Sequence, residues 1–222
     1  MEPLSEWSPS QAESRRAEDL LQPYLHPDPV MAVISGPSGV GKDAVIHCLR
    51  RLGAPIHFVV TATNRCPREA EVHGVDYLFY TTAEFERLIA QGEFLEYAEV
   101  YGQYKGVPRW GARQALAAGQ DVMLRVDIQG AATIKRLAPA AVTIFLAPPS
   151  LGSLVSRLRQ RGGDSEAQVQ QRLQMALTEM QRASEFDYVV VNHDNDLEGT
   201  AQAVLAILRA EKSRAVRPRL EL

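Results

Sequence analysis

Seven residues constrain this chain more than any others: Gly36-Pro37-Ser38-Gly39-Val40-Gly41-Lys42. They follow the apolar run Val30-Met31-Ala32-Val33-Ile34, whose β-branched content predicts a buried strand. They precede Ala44 to Leu52, which reads as a helix over 43–52 closed by Gly53. Strand, glycine loop and helix in that order make the setting of a P-loop. Its glycines let successive backbone N–H groups point at one phosphate, and the helix N-terminus adds its positive dipole end. Lys42 would bridge the terminal phosphates, so the ligand class is a nucleoside triphosphate. After the lysine this pattern calls for Ser or Thr, whose hydroxyl meets Mg²⁺, and here stands Asp43. Its carboxylate suits Mg²⁺, directly or through water, and equally suits a helix start favoured by the dipole.

The rest of the chain follows the same rhythm. Strands are expected at 57–60, 77–80, 94–100, 122–127, 142–146 and 188–191. Helices are expected at 82–91 with Thr82 as N-cap, at 129–137, along a charged stretch at 150–184, and at 197–213. Strands alternating with helices predict an α/β fold of three layers around a central parallel sheet. Residues 61–107 break the rhythm with short strands, which predicts a subdomain inserted at the carboxyl edge of the sheet, where such folds bind ligands. Residues 1–28 read as an N-terminal extension, with a short helix through Leu21 broken by Pro23, Pro27 and Pro29, and 214–222 as a basic tail. The main domain is therefore expected over 29–213.

At 222 residues, 45% hydrophobic and 23% charged, the chain suits one well-buried globular domain. A net charge of −3 gives no bulk attraction for nucleic acid. No apolar run reaches membrane-span length, and the polar start resembles neither a secretory signal nor a transit peptide. Cys48 and Cys66 make no disulfide framework, so a cytoplasmic protein is expected. The five histidines, His26, His47, His57, His73 and His193, show no metal spacing and read as surface or packing residues.

Two groups of arginines fit phosphate chemistry. Arg65 and Arg68, three apart in a polar loop, can hold one phosphate dianion from two sides, or can be solvated loop residues. Arg157 and Arg161, four apart on one helix face, and Arg172 flank Gly162-Gly163, a hinge-like pair. Arginines on a hinged segment can neutralise charge on a transferring phosphoryl group, or can simply cover a helix surface. Glu96 interrupts an apolar strand pattern, which marks a candidate inward-facing acid. Asp127 ends an apolar strand, the place of a Mg²⁺-associated carboxylate or of a helix cap.

Taken together these segments resemble the guanylate kinase family. The P-loop matches, and Thr63 to Phe79 is similar to the family signature T-T-R-x-P-R-x-x-E-x-x-G-x-D-Y-x-F. Phe94-Leu95-Glu96, Gly102, Tyr104, Gly106, Asp127-Ile128-Gln129-Gly130, Pro148-Pro149-Ser150 and Phe186-Asp187-Tyr188 leading to Asn192 follow in the family's order, over roughly residues 30–213. The resemblance is closest to the bacterial and plastid branch. It implies a P-loop NTPase fold with a nucleoside-monophosphate subdomain (61–107) and a helical lid (150–184). It also implies the reaction ATP + GMP = ADP + GDP in purine nucleotide metabolism, with Mg²⁺ bound mainly through ATP.

By the same resemblance Gly36, Pro37, Ser38, Gly39, Val40, Gly41, Lys42, Asp43 and Asn192 take ATP, and Lys42, Arg157, Arg161 and Arg172 are the catalytic cations. Thr61, Arg65, Arg68, Glu71, Tyr77, Glu96, Lys105 and Asp127 take GMP, with dGMP a further candidate. Asp43 is the candidate Mg²⁺ ligand. A monomer or homodimer is expected, with no nucleic-acid or membrane partner. The sequence departs from the family at Asn64 for threonine, Lys105 for tyrosine, Val107 for Ser or Thr, and Arg125 for an acid two residues before Asp127. Two other readings compete: a ribose bisphosphate kinase of the same fold, and a non-catalytic module that keeps the fold alone. Glu71, Asp76-Tyr77 and Glu96 speak against the first, and the intact P-loop and lid arginines against the second.

Overall fold

The computed structural model describes residues 10–69, 71–100, 102–160 and 165–222, with Val100 described in its backbone alone. In chain order the elements are α1 (Gln11–Leu25), β1 (Met31–Ser35), α2 (Lys42–Arg51), β2 (Ile56–Phe58), β3 (Ala62–Thr63) and β4 (Leu78–Phe79). There follow α3 (Thr82–Ala90), β5 (Phe94–Val100), β6 (Gln103–Pro108), α4 (Arg109–Ala117), β7 (Asp121–Arg125), α5 (Ile128–Leu137) and β8 (Val142–Ala147). The chain continues with α6 (Leu151–Gln160), α7 (Glu166–Gln181), a 3₁₀ turn at Arg182–Glu185, β9 (Tyr188–Val191) and α8 (Leu197–Lys212).

Five of these strands form a parallel sheet in the order β2-β7-β1-β8-β9. β1 is its centre, and the reason lies in its composition. Successive side chains of a strand point to opposite faces, so a strand covered on both sides must be apolar throughout. Ala32 and Ile34 enter one core with α2 and α8, while Met31 and Val33 enter the other with α4 and α5. The neighbours β7 and β8 lie on opposite sides of β1, which makes the carboxyl end of β1 the point where chain direction across the sheet reverses. A crevice opens at such a point, and the glycine loop starts there.

The second sheet has the order β4-β3-β6-β5 and mixes parallel and antiparallel pairs. Beneath it lies its own small core of Ala62, Leu78, Phe85 and Phe94. The Phe85 and Phe94 rings stack with centroids 4.4 Å apart. Helices α6 and α7 pack through Leu154, Leu158, Val169 and Ala176, a cluster separate from both main cores.

Three expectations change. Helix α1 passes through Pro23 and reaches Leu25. Proline removes its own N–H bond, but later residues still bond back, as His26 N–H does to Gln22 O at 2.9 Å. The N-cap of α3 is Thr81, one residue before the expected Thr82. β7 stops at Arg125, and Asp127 caps α5. The charged helical stretch 150–184 holds α6, α7 and the 3₁₀ turn; Arg161 and the Gly162-Gly163 pair lie outside the described residues.

Candidate active site

The loop after β1 is shaped from behind. Gly41, the N-cap of α2, has φ +104°, and a Cβ on it would lie 2.5 Å from Asn192 Nδ2. Only glycine allows both the backbone angle and that approach. Asn192 follows β9 and is buried. Its Nδ2 donates to Val40 O at 2.7 Å, and its Oδ1 accepts from Thr200 Oγ1 of α8 at 3.1 Å. The side chain expected at the adenine end of ATP therefore braces the loop.

From the front, two of the arginines expected in a lid reach the same loop. Arg157 of α6 donates to Val40 O at 2.9 Å, to Asn192 O at 2.8 Å and to Asp194 Oδ1 at 2.7 Å. Arg172 of α7 donates to Ser38 Oγ at 3.0 Å. Beside Arg157 an open cleft of about 720 Å³ runs past Gly39, Ala44, Ser153 and Asp194.

Lys42 Nζ donates to the carbonyls of Gly36 and Pro37, closing the loop on itself. Burial of its ammonium lowers the pKa to about 8, against the opposing pull of Glu179 and Asp43. A cation so poorly solvated gains strongly when an anion arrives. Glu179 of α7, whose own carboxyl is pushed up by burial, is one functional neighbour the sequence did not reveal. Asp194 is another, taking bonds from Arg157 and from Ser153. Neither belongs to a local spacing pattern; both reach the loop only because α6, α7 and β9 converge on it.

The second cluster lies on the smaller sheet. Arg65, just past β3, forks both terminal nitrogens onto Glu71 at 2.6 Å each. Glu71 also accepts from the Arg68 backbone N–H at 2.8 Å. The Arg65 fork holds the Glu71 carboxyl at a pKa of about 2. The Arg65 guanidinium lies 4.9 Å from the centre of the Tyr77 ring, while Arg68 is exposed. Glu71 thus sets the shape of the loop between the two arginines. Thr61 is buried at the entry to β3, and Lys105 on β6 is exposed directly opposite Thr63. The departure at Asn64 has a local account: its side chain accepts from Tyr104 N–H at 2.7 Å and donates to Thr82 Oγ1 at 3.0 Å.

Glu96 of β5 links the smaller sheet to α5. It faces the start of α5 so closely that a Cβ on Gly130 would lie 2.9 Å from its carboxyl. Burial raises its pKa to about 7, and the negative charge of Asp127 adds to the shift. Asp127 itself accepts from Gly130 N–H at 2.8 Å as the N-cap of α5. Asp127 therefore has the capping role that was one of its two expected readings. Val107 stands opposite Glu96 in the β5–β6 pair. Asp43 is ion-paired with Arg125, whose guanidinium also lies over the Tyr77 ring, 5.1 Å from its centre.

Such an arrangement can hold two phosphate groups, one on a backbone nest with a buried lysine and one on a fixed arginine. It also offers a half-buried carboxyl, Glu96, that can read the edge of a base.

Comparison with known proteins gives the same picture. The guanylate kinase family model matches residues 29–211. The chain is 49% identical over 189 residues to guanylate kinase 2, chloroplastic/mitochondrial, of Oryza sativa subsp. japonica, covering 85% of this chain and 66% of that protein. It is 42% identical over 183 residues to a guanylate kinase of Carboxydothermus hydrogenoformans, covering 82% of this chain and 89% of that one. Among solved structures, guanylate kinase from Anaplasma phagocytophilum superposes with a TM-score of 0.67 at 34% identity, over 85% of this chain and 89% of that chain.

Proposed function

This chain belongs to the guanylate kinase family, and from that premise we propose that it transfers the γ-phosphoryl group of ATP to GMP, giving ADP and GDP. The observation that supports this most is the placement of Glu96. A half-buried carboxylate at the start of α5 accepts from the N1–H and 2-amino group of guanine, which adenine cannot offer together.

The loop N–H groups and Lys42 hold the ATP phosphates. Arg65, Arg68, Tyr77 and Lys105 hold the GMP phosphate, and Glu71 fixes the direction of Arg65. The Thr61 hydroxyl meets the guanine beside Glu96. The attacking oxygen of GMP is already anionic, so no general base is required. Catalysis consists of holding that oxygen in line with the γ-phosphorus and neutralising charge as the β–γ bond breaks. In this reading Arg157 and Arg172, which bond to the loop at Val40 and Ser38, neutralise that charge. Arg161 completes the set in this reading.

Among the described residues no group of three His, Cys, Asp or Glu side chains could cage a metal. The donor set fits a Mg²⁺ ion that arrives on ATP and keeps most of its water, with Asp43 as its outer carboxylate. Mg²⁺ would supply charge neutralisation to the triphosphate there. Among the described residues no helix is long and apolar enough to cross a membrane. Both cysteines are free thiols, which suits a reducing compartment, the cytoplasm in this reading.

A coupled ADP-release assay with ATP and Mg²⁺, offering GMP, AMP, UMP and ribose 1,5-bisphosphate in parallel, tests the proposal. Turnover with GMP alone is expected. Turnover with the bisphosphate, or none with any acceptor, would overturn it.

A further inference from the structure

Two departures from the family pattern, 82 residues apart in the chain, meet in space. Asp43 stands where a hydroxyl is expected, and Arg125 where an acid is expected. The fold puts Arg125 at the end of β7 and Asp43 in the first turn of α2, with Nη1 bonded to Oδ1. The Arg125 side chain is 20% exposed and that of Asp43 60%. On its other side the Arg125 guanidinium faces the Tyr77 ring, which Arg65 also faces. Arg65 in turn is forked to Glu71. One line of charge and ring contacts therefore runs from the triphosphate loop to the monophosphate cluster.

The pair answers an electrostatic problem. An unpaired carboxylate one residue after Lys42 would repel the triphosphate that Lys42 attracts. At the separations within a helix turn and a dielectric between surface and bulk water, such a repulsion weakens binding about tenfold. The expected combination of hydroxyl and acid carries one negative charge; Asp43 with Arg125 carries none. The two exchanged residues therefore work only together.

We propose that Arg125 is a positioning residue for both nucleotides: it neutralises Asp43 beside the triphosphate and ties α2 to Tyr77 of the monophosphate site, so that filling either site tightens the other. This rests on the GMP kinase reading above, which the wild-type turnover assay checks separately.

The test is calorimetric titration of ADP and of GMP in EDTA, without metal. It uses the wild-type protein, Arg125→Met, Arg125→Lys, Asp43→Ser and the double variant Asp43→Ser/Arg125→Met, with melting curves for each. Arg125→Met is expected to raise the Kd for ADP about tenfold. The double variant is expected to return it to within about twofold of wild type, because the uncovered charge has gone, and Arg125→Lys to stay within the same limit. The factor by which saturating ADP tightens GMP should exceed one in the wild type. It should fall toward one in Arg125→Met and in the double variant, which both lack the tie to Tyr77. A double variant as weak for ADP as Arg125→Met would overturn the proposal. An unchanged coupling factor in Arg125→Met would overturn it too. If Arg125→Met does not fold, Arg125→Gln, which also uncovers Asp43, takes its place in both readouts.

Discussion

At the residue scale, Glu96 is the side chain whose chemistry depends most on its surroundings. A raised pKa of about 7 leaves it roughly half ionised at neutral pH, and only the carboxylate accepts from the guanine edge. The sign follows: GMP use strengthens as pH rises through 7. Between pH 6 and 8 the kcat/KM for GMP, taken as a ratio to that of Glu96→Gln, is expected to rise about tenfold, the change in ionised fraction. The ratio cancels the titration of the GMP phosphate itself, so a flat ratio would refute the assignment. The same shift acts on folding. The native state holds the Glu96 proton more tightly than the unfolded chain, so this group's contribution to stability declines as pH rises from 4.5 through about 7. Glu71 acts in the opposite sense, because its folded pKa is depressed; its contribution is present above 4.5 and fades as pH falls toward about 2. Glu96 was legible in the sequence because an acid breaks an apolar strand pattern. Glu179 was not, because what makes it notable is the approach of α7 to Lys42, and no spacing along the chain encodes that approach.

At the scale of elements, the start of α3 separates two adjacent threonines. Thr81 Oγ1 accepts from Glu84 N–H at 3.2 Å, and Glu84 accepts from Thr81 N–H at 2.8 Å, a reciprocal capping box. Thr81→Ala is expected to cost about 1 kcal/mol, and Thr82→Ala under about 0.5 kcal/mol, in denaturant titrations. The reverse order would contradict the box. The signal was present in the sequence, since Glu84 lies three residues after Thr81, and the buried Phe85 fixes the same register. Strand, loop and helix around Lys42, and the parallel sheet, were readable because apolar period and glycine placement are local properties. The boundaries of the two helices within residues 150–184 were less so. α7 is polar on most of its surface and buries only Val169 and Ala176 among its described residues, so its boundaries come from packing on α6. The pairing of Arg125 with Asp43 lay beyond sequence reasoning for the same cause. It requires knowing that β7 is the neighbour of β1.

At the scale of the whole molecule, the segment after α8 turns back across the sheet. Arg217 donates to the carbonyls of Asp28 at 2.6 Å and Pro29 at 3.3 Å, just before β1 begins. Leu220 and Leu222 pack against the core of α4 and α5, and Arg113 donates to Leu222 O at 2.9 Å. A run read only as a basic tail is thus anchored, largely on backbone carbonyls that no sequence pattern displays. Deleting residues 214–222 is expected to lower stability by about 2 kcal/mol, from the apolar area lost. GMP turnover at 25 °C should stay within about twofold, because these contacts lie at the amino end of β1, opposite the phosphate loop. A large loss of activity without a change in melting would contradict this. The central place of β1 also orders events in time. Its partners β7 and β8 begin at Asp121 and Val142, so as the chain leaves the ribosome the strand carrying the phosphate loop has no neighbour for some ninety residues. The β5–β6 hairpin closes within residues 94–108, before either partner exists. Contacts between near neighbours in sequence form early and distant ones late, so the acceptor's platform is assembled while the donor's cradle is still waiting for its sheet.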